Sequence, residues 1–83
     1  MRTCAQILDE VRIAVGERGY VETAERWERV TREDPIAMEQ ALKDLRFRQA
    51  DRRLGPVRDV GAWLFGTWVK LRRRQMDFEG RAR

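Results

Sequence analysis

The chain has 83 residues, with 18 Lys+Arg against 14 Asp+Glu, no His, one Cys and 39% charged side chains. His, the side chain that titrates nearest neutral pH, is missing, and Ser is absent as well, so no hydrolase triad can be assembled and no catalytic residue is assigned. A chain this short buries only about 60% of its extended surface, enough for one small core with little volume left for a substrate pocket, while 42% apolar content is too high for a disordered chain.

Thr3 followed by Gln6 has the form of a capping box, and Ile7, Leu8, Val11, Ala14 and Val15 recur at helical spacing, which predicts a first helix over 4–17. Gly16 and Gly19 are expected to end it, with Tyr20 and Val21 tucking the next loop against the core. Thr23 is an N-cap candidate for a short second helix over 24–31, whose apolar stripe is Ala24, Trp27 and Val30.

Asp34-Pro35 is the clearest punctuation: Asp caps, and proline's missing N–H is tolerated at the first helical position. A third helix therefore starts at Pro35 and runs to Ala50. Its buried face is predicted as Met38, Ala41, Leu42 and Leu45, with Phe47 and Ala50 further along. Leu54-Gly55-Pro56 breaks it, and Asp59 can cap a fourth helix from Val60, where Val60, Trp63, Leu64, Thr67, Trp68 and Leu71 share a stripe flanked by Phe65 and Val69.

Gly61 and Gly66 cost about 1 kcal/mol each relative to Ala inside a helix, which suggests close approach of a backbone or a Trp. Strands are not expected beyond a short extended pair near 52–58. The organisation expected is all-α: one helical domain over 1–74 and a fraying tail over 75–83.

Cys4 has no partner for an internal disulfide, the N-terminal residues lack a secretory apolar region, and Val60 to Val69 is about half the ~20 residues of a membrane span. A cytoplasmic protein without a membrane partner is the expectation. The acidic pairs Asp9/Glu10 and Glu33/Asp34 are read as solvated charges, so neither a metal nor a cofactor is assigned.

Charge is uneven. Residues 1–41 hold 6 Lys+Arg and 9 Asp+Glu, net −3, and residues 42–83 hold 12 and 5, net +7. A polycationic half argues for an anionic partner.

The stretch Thr23 to Leu45, about 23 of 83 residues, reads as the second helix, a turn of three or four residues and the third helix, and resembles the helix-turn-helix of winged-helix DNA-binding domains. The family's Thr-Ala-Glu start, its apolar positions at Trp27 and Val30, its Asp-Pro opening of the recognition helix, and its apolar positions at Met38, Leu42 and Leu45 all have counterparts here. Glu28 stands where the family usually has a small residue, and Arg32 stands where it often has Gly. Gln49 to Arg58 is short for a wing, so a wing short or absent is expected. Val57-Arg-Asp-Val-Gly-Ala-Trp-Leu is similar to a segment that follows the winged helix in some plasmid and phage replication initiators, with Asp59-Val60 in place of Asn-Pro.

The resemblance implies a small double-stranded-DNA-binding protein of regulatory or replication type. Its third helix would present Ile36, Ala37, Glu39, Gln40, Lys43 and Asp44 to a major groove. Gln40 can pair with adenine, and Lys43 can meet guanine or a phosphate, whereas Glu39 and Asp44 repel the backbone unless one of them accepts from a cytosine amino group. Arg46, Arg48, Arg52, Arg53 and Arg58 follow that helix, and Lys70, Arg72, Arg73 and Arg74 close the fourth, where cations also complement the helix end. About five of these nine on phosphates would give a slope of log K on log salt of roughly −4 to −5. Trp27, Trp63 and Trp68 fall on inward stripes and are core anchors before they are stacking platforms.

A second reading stays open. The acidic and basic halves could pair head to tail in a homodimer or with another protein, with Phe65, Val69, Met76 and Phe78 as an apolar interface and no nucleic acid or small-molecule substrate involved.

Overall fold

The structure is a computed structural model that describes the backbone of residues 2–81 and the side chains of residues 2–75. It contains α1 (Cys4–Val15), α2 (Glu17–Glu33), α3 (Pro35–Ala50), a 3-10 turn (Arg52–Leu54) and α4 (Val60–Arg81), with no strand among the described residues. The expected extended pair near 52–58 is therefore replaced by the 3-10 turn, in which the Asp51 side chain accepts from the Arg53 N–H at 3.1 Å.

Local chemistry explains where the helices start. Thr3 Oγ1 accepts from the Gln6 N–H at 3.2 Å while the Gln6 side chain accepts from the Thr3 N–H at 2.9 Å, closing the capping box. Asp34 Oδ1 accepts from the Ala37 N–H at 3.0 Å ahead of Pro35, and Asp59 Oδ1 accepts from the Ala62 N–H at 3.0 Å at the start of α4.

α2 differs from expectation. It begins at Glu17 rather than residue 24, because Gly16 alone makes the reversal, at φ 92° and ψ 147°, a region essentially confined to glycine, and it runs to Glu33 rather than 31, so that Asp34 alone stands where a turn of three or four residues is expected. Thr23, expected as an N-cap, is a kink inside α2 at φ −125° and ψ 18°. Its hydroxyl donates to the Gly19 carbonyl at 2.8 Å and accepts from the Trp27 indole N–H at 2.8 Å, so it satisfies two groups across the bend. Tyr20 is buried as expected, but Val21 faces solvent.

α1 packs chiefly on α2, and α3 on α4, with α1–α3, α2–α3 and α1–α4 contacts closing one core. That core is Ile7 and Val11 of α1, Tyr20, Trp27 and Val30 of α2, Ala37, Met38, Ala41, Leu42 and Leu45 of α3, and Leu64 and Trp68 of α4. Each fully buried large apolar side chain contributes about 1.5–3 kcal/mol relative to exposure. Trp63, Phe65 and Val69 are half-buried against this core, so none of the three tryptophans is an exposed stacking platform.

A Cβ on Gly61 would lie 3.7 Å from Trp27 Cζ2, the close approach its position suggests, whereas a Cβ on Gly66 would meet nothing within 4 Å. α4 extends to Arg81 through most of the segment expected as a tail. The side chains of Met76 and Phe78, named above as an apolar interface, and all of Ala82 and Arg83 lie outside the described residues. No helix is long and apolar enough to cross a membrane among the described residues.

Candidate nucleic-acid interface

α3 buries Ala37, Met38, Ala41, Leu42 and Leu45, and that choice fixes what it turns outward. Side chains at i, i+4, i+7 and i+11 share a face, so the solvent stripe is Ile36, Gln40, Lys43 and Phe47, all exposed. Two expectations are corrected here. Ala37, expected outward, is 4% exposed in the core, and Phe47, expected near the buried face, is 80% exposed, with Ala50 also in solvent. Residue 47 lies two positions beyond the buried Leu45, about 200° around the helix, which carries it to the opposite face.

Glu39 and Asp44, the carboxylates that weaken an anion-binding reading of this helix, lie on its two edges and are half-buried. Glu39 meets Arg2, whose Nε donates to Oε1 at 2.7 Å, and whose second terminal nitrogen lies 2.5 Å from the same oxygen in an ion pair without hydrogen-bond geometry. Arg2 also pairs with Glu10 of α1 at 2.7 Å, and Glu10 meets Arg46 of α3 at 3.3 Å. Hydrogen bonds to Glu39 and then Glu10 raise the Arg2 guanidinium above its ordinary value, against the opposing effect of burial. On the other edge, Asp44 Oδ1 accepts from the Gln40 amide nitrogen at 2.9 Å. Asp44 also lines a notch between α3 and α4 together with Thr67, Lys70, Leu71, Arg73 and Arg74.

The basic residues singled out from the sequence separate into groups. Lys70, Arg73 and Arg74 share the notch beside α3, and neither they nor Lys43 enters an ion pair among the described residues. They do not close α4: the helix continues about two turns to Arg81, beyond the reach of a last-turn dipole effect.

Arg72 points elsewhere. It pairs with Glu33 and stacks its guanidinium 5.3 Å from the Trp68 ring, while the Trp68 indole N–H donates to the Asp34 carbonyl at 3.2 Å. Together these contacts hold the one-residue joint between α2 and α3 against α4.

Arg48 donates to the carbonyls of Gly55 at 2.8 Å and Leu54 at 3.0 Å, fastening the loop where Gly55 adopts φ 72°. Arg53 meets Asp51 at 3.4 Å, and Arg52 lines a shallow concavity with Gln49, Asp51, Gly55, Pro56 and Val57. Arg58 lines a different groove, against Glu22, Arg26, Trp27 and the start of α4. Of the residues named from sequence, Lys70, Arg73 and Arg74 line the notch at the Asp44 edge of α3, Gln40 reaches that edge through its contact with Asp44, and Lys43 lies on the neighbouring exposed stripe. Arg46, Arg48, Arg53 and Arg72 are engaged within the chain, and Arg52 and Arg58 lie in other depressions.

Sequence reasoning missed Phe47 as an outward residue, although the two-residue offset from Leu45 carried the signal. The pairings Arg2–Glu39 and Arg46–Glu10 join residues 37 and 36 positions apart, and no local pattern announces them. The carboxylate pairs read as solvated are partly engaged: Glu10 by Arg2 and Arg46, Glu33 by Arg72, and Asp34 as a cap. No family model, curated protein or solved structure matches this chain.

Proposed function

We propose that this chain is a small DNA-binding protein, of regulatory or replication type, that meets the duplex with the outer face of α3 and takes phosphates on Lys70, Arg73 and Arg74. In this reading α2, the Asp34 joint and α3 form a helix-turn-helix held by Trp68 and Arg72 of α4, with no catalytic step. The observation that carries it is the composition of the α3 surroundings. A stripe with two polar readers, Gln40 and Lys43, is bordered by three cations that have no carboxylate partner among the described residues. The acidic edges that would repel a backbone are drawn into local contacts, Glu39 by Arg2 and Asp44 by Gln40. Phosphate contacts supply position and affinity, and the stripe supplies base contact.

The test is a fluorescence-anisotropy titration of labelled duplex DNA at two salt concentrations. Binding that weakens steeply with salt supports the reading, and absence of binding at low salt rejects it. The second reading, a protein-interaction module, draws on the exposure of Ile36 and Phe47, large apolar side chains that also suit a contact between chains. A mass that rises with concentration in sedimentation, without duplex binding, would favour it.

A further inference from the structure

Resting on the proposed duplex binding, we infer that the Ile36–Gln40–Lys43–Phe47 face reads A·T pairs in the major groove by their thymine methyl groups and the adenine edge. Ile36 is 59% exposed and Phe47 80%, and neither is needed by the core. Both sit on the same stripe as Gln40 and Lys43, so two polar groups are flanked by an apolar one at each end over a rise of 11 residues, roughly 16 Å of helix, comparable with four to five base steps. The only apolar group that a base pair offers in the major groove is the thymine C5-methyl.

Gln40 is prepared for the partner base. A carboxylate can only accept, so its contact with Asp44 fixes the amide nitrogen toward Oδ1 and uses one of the two N–H donors. What remains is one N–H and the carbonyl oxygen, the donor and acceptor that adenine N7 and N6 require. Guanine offers two acceptors on that edge and leaves the Gln40 carbonyl without a donor. The cationic border of Lys70, Arg73 and Arg74 favours a polyanion over an apolar protein surface at this face.

The experiment compares the affinity of the whole chain for alternating dA–dT, dA–dU and dG–dC duplexes at low salt. Deoxyuridine removes only the methyl groups. Each lost methyl contact weakens binding about fourfold, so two contacts give about a fifteenfold preference for dA–dT over dA–dU. Loss of the Gln40 pair separates dA–dT from dG–dC by about 5- to 150-fold. Ile36→Ala and Phe47→Ala truncate exposed side chains and leave the core intact, and together they should bring the dA–dT to dA–dU ratio to about one.

Equal affinity of the unaltered chain for dA–dT and dA–dU, with both bound, overturns this inference and leaves the proposed function standing. No binding to any duplex overturns both. If Phe47→Ala abolishes self-association in sedimentation velocity without changing the ratio, the face is a contact between copies, and the inference fails.

Discussion

Replacing Arg73 and Arg74 together by Ala removes two of the three cations assigned to phosphates, the third being Lys70; none of the three enters an ion pair among the described residues. Each phosphate neutralised contributes about −0.9 to the slope of log K on log salt. Three contacts therefore give about −2.7, shallower than the −4 to −5 expected from sequence, because Arg46, Arg48, Arg53 and Arg72 are engaged within the chain. Between 50 and 200 mM salt that slope costs roughly 40-fold in affinity, against roughly 3.5-fold for the double variant with its slope of about −0.9. Both arginines are exposed, so helical content by circular dichroism should be unchanged. Anisotropy titrations at four salt concentrations measure the slopes. A double variant that binds duplex with the slope of the unaltered chain would refute the assignment of these arginines to phosphates.

Other predictions concern the scaffold. Thr31 is fully buried and its hydroxyl has no hydrogen-bond partner among the described residues, so Thr31→Val, which keeps the shape and removes the polar atom, should stabilise the fold by about 1 kcal/mol in urea titration; a lowered midpoint would show that the hydroxyl is satisfied. Gly66→Ala places a methyl group where nothing lies within 4 Å, in the interior of α4, and should add about 0.5–1 kcal/mol, a rise of several degrees in Tm. Gly16→Ala should do the opposite by about 1–3 kcal/mol, because φ 92° excludes a Cβ whatever the space around it. Equal melting temperatures for the two glycine variants would contradict the backbone assignment of the α1–α2 joint.

The starts of α1, α3 and α4 were legible because each is decided by a cap within three residues: Thr3 with Gln6, Asp34 ahead of Pro35, and Asp59. The inward stripes of α1, α3 and α4 were legible for the same local reason, since helical spacing alone selects Met38, Ala41, Leu42 and Leu45. The first turns of α2 were not, because Gly16 and Gly19 read as a single loop. Only the joint at Gly16 needs positive φ, whereas Gly19 lies inside the helix, where a Cβ would approach Val15 Cγ1 to 3.1 Å. There the glycine serves contact between α1 and α2 rather than a turn.

The candidate interface was legible as a list of residues and not as a surface. Charge composition marks the C-terminal half as basic, but which cations are available depends on long-range pairing. Arg72 beside Arg73 illustrates the limit, since neighbouring positions on α4 lie 100° apart and one meets Glu33 while the other lines the notch beside Asp44. Glu39 and Asp44, which weakened the case for an anionic ligand when read as an outward face, are held at the two edges of the stripe instead.

The contact face can be located residue by residue from amide chemical-shift changes as duplex DNA is titrated into the isotopically labelled chain. The largest changes are predicted at Ile36, Gln40, Lys43 and Phe47 and at Lys70, Arg73 and Arg74, with Ile13 on the outer face of α1 unmoved. Changes concentrated around Ile13 and Val21, or none at a duplex excess that saturates the anisotropy signal, would contradict the account.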